Sequence, residues 1–78
     1  MSQEEEITKL TDIATETENL NIVNTVISNL AAYGPKSIPA ISEIIEQKHS
    51  TEVRSYGMKA IKKIKQRSQS HNSFKNLL

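Results

Sequence analysis

Apolar side chains return every three or four positions through most of the chain, and polar residues fill the intervals. That period describes helices with one buried face, because the side chains of a half-buried strand would alternate every two. Ile7, Leu10, Ile13 and Ala14 make the first stripe, and Ile22, Val23, Val26, Ile27 and Leu30 the second. The third is Ile38, Ile41, Ile44 and Ile45, and a narrower fourth is Val53, Gly57, Ala60, Ile61 and Ile64. Boundary signals separate the stripes. Ser2 with Glu5 three residues on has capping-box spacing, and Glu4, Glu5 and Glu6 suit the positive end of a helix dipole. "TETEN" at residues 15–19 is a polar break rich in N-cap candidates, ahead of a second helix expected over 18–32. Tyr33-Gly34-Pro35 ends that helix, since Gly accepts a left-handed conformation and Pro cannot prolong the preceding turn. A third helix is expected over 35–47, with Pro39 in its first turn where the missing amide hydrogen matters little. His49-Ser50-Thr51 forms the next turn, with Ser50 or Thr51 capping a fourth helix that reaches about Gln66. Small residues at Gly57 and Ala60 predict close approach by a neighbouring helix. The expected class is all-α.

Displacing the sequence by 31 positions overlays these stripes. Ile7 falls on Ile38, Leu10 on Ile41, Ile13 on Ile44, Ala14 on Ile45, Ile22 on Val53, Leu30 on Ile61 and Tyr33 on Ile64. Self-similarity at a fixed period marks a helical repeat. The expected architecture is therefore a four-helix α-α superhelix fragment, two helical hairpins at about residues 3–33 and 34–66, making one domain over 1–66. An up-and-down four-helix bundle is the alternative.

The stretch "GPKSIPAISEIIEQKHSTEVRSYGMKAIKKI", residues 34–64, resembles a HEAT repeat, particularly the short PBS-lyase HEAT-like type. The matching features are Pro39 near the start of the first helix, Ile38, Ile41, Ile44 and Ile45, the Val53-Arg54 pair, small Gly57 and Ala60, then Ile61 and Ile64. Residues 7–33 match weakly, and nothing beyond Gln66 has a counterpart. Where the family usually has an aspartate before Val-Arg, this chain has Lys48, His49 and Ser50. Where Val-Arg would fall in the first repeat it has Ile22-Val23. The resemblance implies binding rather than chemistry, with the second helix of each repeat lining the binding surface and Arg54 without its usual carboxylate.

Two repeats are fewer than the three or so that suffice for a stable stack. The bare ends could be answered by weak homo-oligomerisation, by docking on a larger partner, or by Phe74, Leu77 and Leu78 folding back as a cover. The segment "RSQSHNS" within 67–78 is polar and basic and is expected to be a flexible tail.

Composition then narrows the function. The chain has 78 residues, no cysteine, two glycines and two prolines. Absence of cysteine removes disulfides, thiolate catalysis and cysteine-ligated zinc. His49 and His71 stand 22 positions apart and the two glycines 23 apart, so neither a metal cluster nor a phosphate-binding loop is indicated. Neither catalytic residues nor a cofactor is expected, and the protein reads as non-enzymatic. The acidic N-terminus lacks the apolar run of a signal peptide, and no stretch is apolar enough for a membrane span. A soluble cytoplasmic protein is expected, without membrane contact.

Charge is divided along the chain. Residues 1–52 hold nine acids against Lys9, Lys36 and Lys48, a net −6. Residues 53–78 hold Arg54, Lys59, Lys62, Lys63, Lys65, Arg67 and Lys75 with no acid, a net +7. On the fourth helix Arg54, Lys62 and Lys65 belong to one solvent flank, and Lys59 and Lys63 to the other. Tyr56 flanks the stripe as an aromatic anchor, whereas Tyr33 reads as core or core edge. Arg54, Tyr56, Lys59, Lys62, Lys63, Lys65 and Arg67 are thus the candidate partner-binding residues. The expected function is a small protein–protein interaction adaptor. The rival reading is electrostatic contact with nucleic acid or the ribosome, weakened because only Tyr56 interleaves an aromatic ring with the cations.

Overall fold

A computed structural model describes residues 2–77, with side chains described for 2–67. Four helices follow in order: α1 (Gln3–Glu16), α2 (Leu20–Ala31), α3 (Ile38–Lys48) and α4 (Thr51–Leu77), with a 3₁₀ turn at Gly34–Ser37. There is no strand among the described residues, so the all-α expectation holds. Each start has its physical cause. The Ser2 hydroxyl accepts from the Glu5 amide at 3.3 Å, and the Asn19 side chain accepts from the amides of Asn21 and Ile22. Ser50 accepts from Val53 in the same way. Gly34 bends the chain after α2 at φ 82°.

Two boundaries differ from expectation. α3 begins at Ile38, not Pro35, because Pro39 has no amide to bond back to the carbonyl four residues earlier. The preceding turn tightens instead, and the Ile38 amide donates to the Pro35 carbonyl. α4 continues past Gln66 to Leu77, since neither Gly nor Pro follows Gly57 to stop it. The expected mobility of the tail and the cover by Phe74, Leu77 and Leu78 lie outside the residues whose side chains are described.

The helices form two stacked hairpins. α1 packs on α2 and α3, and α4 packs on α3 and α2, while α1 and α4 stand diagonally apart. An up-and-down bundle would instead bring α1 beside α4. The core unites Ala14, Val23, Val26, Ile27, Leu30, Ile41, Ile44, Ile45, Val53, Ile61 and Ile64. Gly57 allows the closest approach: a Cβ there would stand 2.6 Å from Ile45 Cδ1 and 2.7 Å from its Cγ1.

Two stripe residues face outward, contrary to expectation. Ile13 is 49 % exposed and Ile22 41 %, and Thr11 is buried in place of Ile13. At about 100° per residue, Ile7, Leu10, Thr11 and Ala14 share one line from which Ile13 is displaced by about 120°. Thr11 tolerates burial because its hydroxyl donates to the Ile7 carbonyl at 2.7 Å. Burial coincides at the offset of 31 for Ala14 with Ile45, Val26 with Gly57 and Leu30 with Ile61, and at 30 for Thr11 with Ile41 and Val23 with Val53. The caps Asn19 and Ser50 keep the offset of 31, and counted from them both α2 and α4 bury the seventh and eleventh residues, Val26 and Leu30 against Gly57 and Ile61.

Polar contacts lock the hairpins. Lys48 Nζ, at the end of α3, donates to the Thr15 carbonyl at 3.0 Å and to the Thr17 carbonyl. α1 has no basic residue in its own last turn, so the other hairpin supplies the cation at its negative end. Lys36 reaches Gln3 at 2.7 Å. Within the first hairpin the half-buried Tyr33 hydroxyl donates to Glu6 at 2.5 Å, in keeping with a place at the core edge. That hydrogen bond, then burial, then the Glu6 charge hold the phenol above its ordinary 10.0. Folding therefore favours neutral Tyr33. Its contribution is complete below pH about 10 and is lost as pH climbs through the raised folded value. Thermal midpoints of the parent and Tyr33→Phe should differ at neutral pH and converge or cross in strong alkali. A constant offset at all pH values would contradict this.

Candidate functional site

The candidate cations divide as their spacing implied. Relative to the Val53–Gly57–Ile61–Ile64 line of α4, Tyr56, Lys59, Lys63 and Arg67 lie on the side of α2. Arg54, Lys62 and Lys65 lie on the opposite, solvent-facing side. The first set meets α2 to form a concavity. It is a groove of about 730 Å³ lined by Ser28, Ala31 and Ala32 from α2, and by Tyr56, Lys59, Ala60, Lys63, Ile64, Gln66 and Arg67 from α4.

Local sequence explains its shape. Ala31, Ala32 and Ala60 are short, so the two helices leave a trough above Ile64 in place of meshing side chains. Lys59, Lys63 and Arg67 recur every four residues, which spaces their cationic groups about 6 Å apart along one edge. Lysine and arginine stems cover apolar surface while their charges stay in water. Tyr56, 40 % exposed, closes one end, where its hydroxyl and that of Ser28 are hydrogen-bonded at 2.5 Å. That bond fixes the ring across the α2–α4 interface. α2 terminates at the groove. No acidic residue lines it.

The groove sets apolar area beside cationic groups. Among the described residues no group of three or more His, Cys, Asp or Glu is placed to hold a metal, and no helix is long and apolar enough to cross a membrane. His49 sits at the end of α3 in the left-handed conformation, φ 51°, as a turn residue. Sequence reasoning found Tyr56, Lys59, Lys63 and Arg67 but missed the α2 wall. The available signal was the run of small residues Ser28, Ala31 and Ala32 on the flank of α2 beside its Val23–Leu30 line. Compared with known protein families, curated proteins and solved structures, the chain has no match.

Proposed function

We propose that this chain is a small, non-enzymatic helical-repeat adaptor of the HEAT-like kind that residues 34–64 resemble, working in the cytoplasm. Its α2–α4 groove takes an acidic amphipathic helix of a partner protein. One observation carries the reading: the groove joins an apolar floor of Ala31, Ala60 and Ile64 to a cationic edge of Lys59, Lys63 and Arg67, with no acid among its lining. A helix with apolar residues at i, i+3, i+4 and i+7 and glutamates beside them complements both features.

A labelled synthetic peptide of that design, with a scrambled peptide of equal charge as control, tests the proposal by fluorescence anisotropy. The amphipathic peptide should bind, and the scrambled one should bind at least about tenfold more weakly, because apolar complementarity is lost. The pair Lys59→Glu, Lys63→Glu should abolish binding, whereas Arg54→Glu, Lys62→Glu should leave most of it. Equal binding of both peptides would sink the helix-in-groove reading.

The row of Lys59, Lys63 and Arg67 beside exposed Tyr56 favours nucleic acid as the second reading. A floor of alanine and isoleucine gives bases little to stack on. Binding of a mixed RNA and DNA pool that falls steeply with salt, and that disappears in the same double variant, would establish it in place of the first.

A further inference from the structure

The stacking of two hairpins leaves one flank of each unused. On α1, Thr8 and Asp12 line the side facing α3, and Ile13 lies across the Ile7–Ala14 line from them. On α2, Ser28 and Ala31 line the side facing α4, and Ile22 lies across the Val23–Leu30 line. The free side of the first hairpin therefore carries both Ile13 and Ile22. On α4, Tyr56 and Lys63 face α2, and Met58 lies across the Val53–Ile64 line with Arg54 and Lys65. Among the described residues, the exposed large apolar side chains Ile13, Ile22 and Met58 (56 % exposed) occupy these free flanks, and Tyr56 belongs to the groove.

Charge follows the same division. The first hairpin, residues 2–33, has six acids and one lysine, net −5; the second, residues 34–67, has three acids and eight bases, net +5. Inside the chain the second hairpin meets the first with the flank opposite to its free one. The free flank of the second hairpin thus stands to the free flank of another copy's first hairpin as the internal pair stand to each other.

We propose that copies of this chain stack head to tail. Ile13 and Ile22 of one copy pack against Met58 of the next, and the cationic second hairpin, through Arg54 and Lys65, meets the acidic first hairpin. The contact is heterologous, so it does not close at a dimer but adds further copies. It is independent of the groove, which lies on another face.

Sedimentation velocity of the full chain from micromolar to millimolar concentration tests this. The weight-average mass should climb past twice the 8.8 kDa of one chain without a plateau, and high salt should reduce it. Ile13→Arg and Met58→Glu sit on exposed positions and should preserve the helical circular dichroism spectrum. Each alone should remain at monomer mass, because like charges then face each other. An equal mixture should form complexes of two or more chains, since each variant retains the face the other has lost. Lys59→Ala, Ser28→Ala, placed in the groove, should still assemble past dimer mass, which separates this contact from the groove. Monomer mass at every concentration, assembly by either single variant, or a mixture that stays monomeric would each overturn the proposal.

Discussion

Leu30→Ala should lower the unfolding free energy by about 3 kcal/mol, the middle of the range for removing a buried leucine and leaving a cavity. Leu30 is fully buried on α2, in the cluster that joins all four helices. A chain of 78 residues has roughly 4–12 kcal/mol of stability in all. In a domain this small each kcal/mol moves the thermal midpoint by about 4–8 °C, so the variant should melt some 10–25 °C lower. Urea unfolding followed by circular dichroism reads the effect as a lower midpoint with an unchanged slope. The informative control is Ile13→Ala. It removes nearly the same volume from a neighbouring stripe, but from a side chain left half in water. A change below about 0.5 kcal/mol is expected there, as for ordinary surface sites. Equal losses at both positions would mean that the burial assigned to α1 is wrong.

Gly57→Leu should have a comparable effect for the opposite reason, excess volume. The added Cβ alone would sit 2.6 Å from Ile45 Cδ1 and 2.7 Å from Cγ1, with Ile41 Cγ2 at 3.4 Å behind. Ile45 must leave its rotamer or α3 must move away from α4, and overpacking of that kind costs about 1–3 kcal/mol or somewhat more. Relief of the glycine penalty in a helix interior offsets up to about 1 kcal/mol. A net loss near 2 kcal/mol is expected for leucine, and about half of that for Gly57→Ala. The clash is local, so Ile45→Ala in the same chain should make the leucine better tolerated. The double variant should be more stable than the two single losses added together predict. Strict additivity would place the close contact elsewhere.

Helix number, caps and class were legible because their signals are local. Ser2, Asn19 and Ser50 lie among the expected cap candidates, and Gly34 bends the chain after α2. The stacked hairpins were legible from the repeat. Rotation of each helix about its axis was not. Ile13 and Ile22 satisfy the helical period as well as their buried neighbours do. Which of two adjacent stripes turns inward depends on where the next helix packs, and Thr11 counts as polar until its hydroxyl is seen bonded within the helix. The site was half legible: cations on α4 announce themselves by type and spacing, but a groove needs two walls. The α2 wall is made by the smallness of Ser28, Ala31 and Ala32, and charge patterning does not register smallness.

The reach of Lys48 across the hairpins changes how the molecule comes apart. A helix ordinarily begins to melt at its C-terminal turn, where the last carbonyls have no partner. In α1 the Thr15 carbonyl and the neighbouring Thr17 carbonyl are held by an ammonium group that α3 carries. Fraying of α1 at this end must also break the contacts of Lys48, which adds about 1 kcal/mol per hydrogen bond to that local opening. Lys48→Met should therefore speed hydrogen exchange in the last turn of α1, although 33 residues of chain separate the two bonded groups.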